Sequence, residues 1–75
     1  LKFEGHVLTE VKREEAGCRY KLLYANQEYE VVSSGEQAVL DSLFVRKGQR
    51  IEIEGEQRER YLYPRKEKII LDKDV

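Results

Sequence analysis

The 75-residue chain has no tryptophan and no methionine, and only one cysteine, one proline and one histidine. A single cysteine, Cys18, cannot close an internal disulfide, so the core must hold the fold; the free thiol fits a reducing, cytoplasmic setting. One cysteine and one histidine cannot build a zinc centre of the usual four-ligand kind. No apolar run approaches the ~18 residues of a membrane-spanning helix, and no secretory leader pattern is present, so no membrane contact is expected. There is no glycine-rich phosphate loop and no nucleophile elbow, and His6 has no acid–base partner that the sequence can name. A non-enzymatic protein without cofactor or metal is expected. The lack of methionine, with leucine in first place, reads as a processed chain or part of a longer one.

An excess of one charge is missing too. Fourteen basic residues face 15 acidic ones, for a net charge of −1, so any polyanionic partner must be held by a local patch. What is present is an ordinary apolar content of 40% beside an unusually high charged content of 39%. The length allows one domain, 1–75, and a chain this short buries only ~60% of its unfolded surface.

Period-two alternation dominates. Leu1, Phe3, Val7 and Val11 share one side of a predicted strand over 1–11, with Gly5 marking a bend on the apolar side. The polar stretch 12–17 leads to a second strand over 18–24. There Cys18, Tyr20, Leu22 and Tyr24 point inward, while Arg19, Lys21 and Leu23 point outward. A turn at 25–27 precedes a third strand over 28–32, completing a meander. The period then changes. Ser33 and Glu36 fit a capping box, and Val39, Leu40, Leu43 and Phe44 form the apolar stripe of a short helix stopped by Gly48. Ile51 and Ile53 alternate with Arg50, Glu52, Glu54 and Glu56 in a fourth strand. A fifth strand is expected over 68–71, before a short tail.

The chemistry concentrates in the connection 58–68. It holds five basic and two acidic residues, a local +3 that leaves −4 on the rest of the chain. Arg58, Arg60, Arg65, Lys66 and Lys68 can follow phosphates, and Tyr61 and Tyr63 can stack on bases, at ~1–3 kcal/mol per base. Arg19 and Lys21 would support them from the outer face of the second strand. The competing reading is a solvated hairpin whose tyrosines cover the mouth of the fold. The row Glu52, Glu54 and Glu56 does not converge as a metal site needs, because alternate outward residues stand ~7 Å apart. Cys18 reads as a buried structural thiol.

The order of three antiparallel strands, a short helix and a two-stranded hairpin is that of the OB-fold, a small all-β barrel of five strands with one helix. The segment Leu43-Phe44-Val45-Arg46-Lys47-Gly48-Gln49-Arg50-Ile51-Glu52-Ile53-Glu54-Gly55-Glu56, together with Phe3-Glu4-Gly5-His6-Val7, resembles the bacterial single-stranded DNA-binding protein family and related small primosomal proteins. That resemblance implies a barrel whose long basic hairpin and second-strand face take single-stranded nucleic acid, and relatives that often assemble as homo-oligomers. A different class stays open: a protein-interaction barrel using Tyr61, Leu62 and Tyr63 as an apolar anchor, or a regulatory domain of a larger enzyme. An SH3-like barrel is the alternative fold.

Overall fold

The computed structural model describes residues 1–70. Six strands and one helix follow one another: β1 (Lys2–Val7), β2 (Lys12–Glu14), β3 (Gly17–Tyr24), β4 (Gln27–Ser33), α1 (Gly35–Phe44), β5 (Arg50–Arg58) and β6 (Tyr61–Ile70). The sheet runs β1-β5-β6-β4-β3-β2, and a further pairing of β1 with β3 closes it into a barrel. Every pairing is antiparallel except that of β4 with β6. This is an OB-type barrel, with the helix between its third and fourth wall strands.

Alternation decides which residues fill the barrel. Phe3 and Val7 of β1, Tyr20 and Leu22 of β3, Val31 of β4, Ile51 and Ile53 of β5 and Leu62 of β6 are buried in one cluster with Val45. Fully burying an aliphatic or aromatic side chain of this size contributes about 1.5–3 kcal/mol. Phe3 packs edge-on against Tyr24 at 5.2 Å between ring centroids, and Tyr24 leans on Tyr29 at 5.8 Å. Tyr24 therefore sits at the mouth of the core and is not a free stacking platform.

Closure depends on Gly5. A Cβ there would stand 2.2 Å from the Leu23 carbonyl oxygen, so only glycine lets β1 cross β3 while it pairs with β5. The β1–β3 seam is short: His6 lies opposite Leu23, and Val7 opposite Leu22. The β4–β6 seam is as short, with Glu30 opposite Tyr61 and Val31 opposite Leu62. The barrel is thus two antiparallel halves, β1-β5-β6 and β2-β3-β4, stitched along two narrow lines.

Four expectations need correction. The strand expected over 1–11 ends at Val7, and Lys12–Glu14 forms a separate strand on β3. All three of its residues are exposed, so it has no apolar side for a pattern to reveal. The expected cap, Ser33, remains in β4, where its buried hydroxyl donates to the Cys18 carbonyl at 3.5 Å. Ser34 is the N-cap, without a side-chain bond. The helix also turns the other way. Val39, Leu40, Leu43 and Phe44 are 48–58% exposed, whereas Ala38 and Asp41 face the barrel. Small Ala38 lets the helix backbone come close to β3, with Cys18 Sγ donating to the Ala38 carbonyl at 3.2 Å.

The fourth correction bears on the candidate site. Residues 58–68 do not form a long connection. The chain turns within Glu59-Arg60, with Glu59 at φ 55°, and the remainder is wall strand. A bulge beside Glu54 and Gly55 shifts the register so that Gly55 faces Pro64 and Glu54 faces Lys66. The shift reverses the alternation: Leu62 points inward before it, Glu67 after it. The fifth strand therefore begins at Tyr61, not at 68, and the expected Leu71 and tail lie outside the described residues.

Candidate nucleic-acid interface

Eight of the nine candidate residues, Arg58, Arg60, Tyr61, Tyr63, Arg65, Lys66, Lys68 and Lys21, are exposed, and Arg19 is half-buried. The barrel distributes them over two areas. On the first, register places Lys21, Glu30, Tyr61 and Arg58 in one row across β3, β4, β6 and β5. Tyr63 follows on the same side of β6, since residues two apart on a strand share a face. The Arg60 carbonyl accepts from the Glu30 N–H at 2.7 Å, which fastens the β5–β6 turn against β4. Its guanidinium reaches the Glu28 carbonyl at 3.5 Å. Lys21, Glu28, Tyr29, Glu30, Arg60 and Tyr61 line an open groove of about 380 Å³.

Charge in this row is partly committed. Arg19 is held between Glu14 and Glu30, its guanidinium 3.4 Å from the Glu30 carboxylate. The carboxylates, Glu14 first, raise its pKa above the usual arginine value. The predicted supporting role of Arg19 is therefore weakened. Lys21 and Arg58 form no ion pair among the described residues. Tyr61 and Tyr63 are 39% and 40% exposed.

The second area lies further along β6. Arg65 pairs with Glu56 at 2.8 Å. Lys66 stands opposite Glu54, and Lys68 opposite Glu52. The acidic outer row thus runs beside these three cations. Such a neighbourhood suits solvent and internal pairing better than a phosphate chain.

A site that the residue pattern did not reveal sits between α1 and β6. Asp41 is 1% exposed, and Glu67 turns inward toward it and toward the Tyr20 hydroxyl. Gln37 donates to Asp41 Oδ1 at 3.1 Å. Asp41 Oδ2, both Glu67 carboxyl oxygens and the Tyr20 hydroxyl are buried against one another, bonded to no other group among the described residues. Burial, and then the adjacent Asp41, push the Glu67 carboxyl up to about 10. The same surroundings raise the Tyr20 phenol above its ordinary range, burial first. Burial, followed by Asp41, also raises the Cys18 thiol, as suits a structural cysteine. One signal was available: Ala38, Asp41 and Val45 recur at helical spacing. The larger apolar stripe beside them obscured it.

No group of three or more His, Cys, Asp or Glu side chains among the described residues could hold a metal ion. No described helix is long and apolar enough to cross a membrane.

Comparison with protein families finds no match, and comparison with curated proteins finds none either. Solved structures do match. A chain of the crystal structure of TiaS in complex with tRNA, AMPCPP and agmatine superposes with a TM-score of 0.82 at 17% identity, covering 99% of this chain and 19% of that one. Tetrameric p202 HIN2 superposes with a TM-score of 0.67 at 19% identity, covering 95% and 41%. This chain therefore spans about a fifth and about two fifths of those neighbours. At such identities the likeness is one of fold.

Proposed function

We propose that this domain is a non-catalytic module that binds single-stranded nucleic acid across the row Lys21, Tyr61 and Arg58, extended by Arg60 and Tyr63. The observation that carries the reading is a meeting on one continuous barrel face. Two cations without an ion pair among the described residues, Lys21 and Arg58, share it with two exposed tyrosine rings. Cations that follow phosphates release counterions, and rings that stack on bases tolerate any sequence. Of the acidic row, which repels phosphate, Glu52 and Glu54 lie beside the other area of β6, and Glu56 stands opposite Tyr63 at the end of this face. Two further points support the reading. The barrel shares its fold with a chain from a tRNA complex, and its Leu43–Glu56 segment resembles single-stranded DNA-binding proteins.

Binding should be weak, salt-sensitive and indifferent to sequence. Fluorescence anisotropy with a labelled oligothymidine, at low and at moderate salt, tests it. Saturable binding that weakens with salt is expected; no binding at micromolar protein at either salt removes the proposal. The Tyr61-Leu62-Tyr63 anchor of the protein-interaction reading does not form a unit, because Leu62 is fully buried between its neighbours.

A further inference from the structure

Glu30 is out of place in a row that takes a polyanion. It stands directly opposite Lys21 of β3 on one side and Tyr61 of β6 on the other. Neighbouring strands lie ~4.8 Å apart, so a nucleic-acid strand that reaches from Lys21 to Tyr61 must pass over the Glu30 carboxylate within about 10 Å of travel. Arg19 does not silence that charge. It stands between Glu14 and Glu30, one cation against two carboxylates, so the trio keeps a net negative charge. The Arg19 guanidinium approaches Glu30 Oε2 at 3.4 Å and so orients the carboxylate, while Oε1 has no hydrogen-bond partner among the described residues. A ligand can reach it. The Glu30 side chain is 34% exposed, and it lines two open grooves: that of about 380 Å³ with Lys21, Arg60 and Tyr61, and another of about 390 Å³ with Thr9, Lys12 and Lys21.

A carboxylate on that path repels every phosphate that passes it, unless the strand offers it a donor. The backbone of DNA offers none, since its phosphate, ester and ring oxygens only accept. RNA carries one donor per nucleotide, the 2′-hydroxyl, which is what lets a protein tell the two apart. Donors on base edges differ from base to base, whereas a grip built on cations and stacking rings is indifferent to sequence; the sugar recurs at every step. We propose, building on the nucleic-acid reading of the row Lys21, Tyr61 and Arg58, that Glu30 accepts a hydrogen bond from a ribose 2′-hydroxyl and that the row takes single-stranded RNA in preference to DNA. A hydrogen bond to an ionised acceptor is stronger than one between neutral groups, so Glu30 offsets its own repulsion for an RNA strand and not for a DNA strand.

The test titrates the full chain, by fluorescence anisotropy at low and at moderate salt, with labelled octanucleotides of one base: ribo-uridylate, deoxy-uridylate and 2′-fluoro-uridylate. The fluoro strand keeps the sugar pucker of RNA but has no donor. Ribo-uridylate is expected to bind at least about fivefold tighter than either of the others, as a bond to a charged acceptor implies. Glu30→Ala should raise the affinity of the deoxy strand and bring the ribo and deoxy strands within about twofold of each other. Glu28→Ala removes an equal charge from the same groove and should leave the preference for ribose intact. Ribo and deoxy strands bound alike by the wild-type chain overturn the RNA assignment and leave the row standing as a general single-strand interface. A fluoro strand bound as tightly as the ribo strand overturns the hydrogen bond, because pucker is then what is read. A preference that survives Glu30→Ala, or that Glu28→Ala abolishes equally, overturns Glu30 as the acceptor. No binding of any strand at either salt removes the row itself, and the ribose contact with it.

Discussion

Glu30 lies directly opposite Tyr61 across the parallel pairing of β4 with β6, and its carboxylate also draws Arg19 to 3.4 Å. One acidic side chain thus stands in the middle of the candidate binding row and occupies one of its cations. Replacing it should strengthen binding. Glu30→Gln is expected to raise affinity for oligothymidine about three- to tenfold at low salt and to steepen the salt dependence, since a repelling charge goes and Arg19 keeps only Glu14 as its partner. Anisotropy titrations at several salt concentrations measure both.

The two areas of the basic surface make opposite predictions. Tyr61→Ala should weaken oligonucleotide binding by about 1–3 kcal/mol, the range for loss of a stacking platform. Lys21→Ala and Arg58→Ala should each lower the salt slope by about one unit. Arg65→Ala and Lys68→Ala should change little, because their positions face Glu56 and Glu52. Equal losses at all five positions would show that the ligand follows the whole of β6.

The Glu67 carboxyl leads to an unusual pH dependence. Its pKa is raised to about 10 in the fold, above the ordinary value of 4.5 in the unfolded chain. Between those values the folded state holds a proton that the unfolded state has lost, so stability falls as pH rises. The contribution is complete below about pH 4.5 and declines steadily toward pH 10. Urea midpoints should therefore decrease from pH 5 to pH 9. Glu67→Gln should flatten that trend and stabilise the domain at pH 8 by about 1–3 kcal/mol, because the neutral amide needs no proton taken up on folding at that pH.

Gly5 tests the closure of the barrel. A methyl group at this position meets the Leu23 carbonyl at 2.2 Å, and backbone cannot step aside as a flexible side chain could. Gly5→Ala should cost about 1–3 kcal/mol, the usual range for overpacking, seen as a lower urea midpoint. Circular dichroism should show the remaining strands retained.

The contrast between Ile53 and Glu67 shows what could be read in the residues and what could not. Ile51 and Ile53 alternate cleanly with charged neighbours, and both are fully buried, as period two requires. The same holds for Phe3, Val7, Tyr20 and Leu22, so the strand order and the barrel were legible. Glu67 lies past a bulge, where one extra residue exchanges inside for outside; a charged residue flanked by lysines carries no sign of that exchange. The helix misled in a different way. Its strongest apolar stripe, Val39 to Phe44, is exposed, because close approach to β3 favours the smaller side of the helix at Ala38. Of the candidate binding residues, exposure was foreseeable from charge. Their division into two areas follows from cross-strand register and from carboxylates distant in sequence, which no local pattern encodes.

The two narrow seams have a mechanical consequence. Residues on either side of each belong to separately hydrogen-bonded units, so the easiest native-state opening parts the barrel like a hinged shell along His6–Leu23 and Glu30–Tyr61. A strand of nucleic acid gripped by Lys21 on one unit and by Arg58 and Tyr61 on the other would act as a staple. Amide exchange along both lines would then slow together on loading, including at positions the ligand never touches.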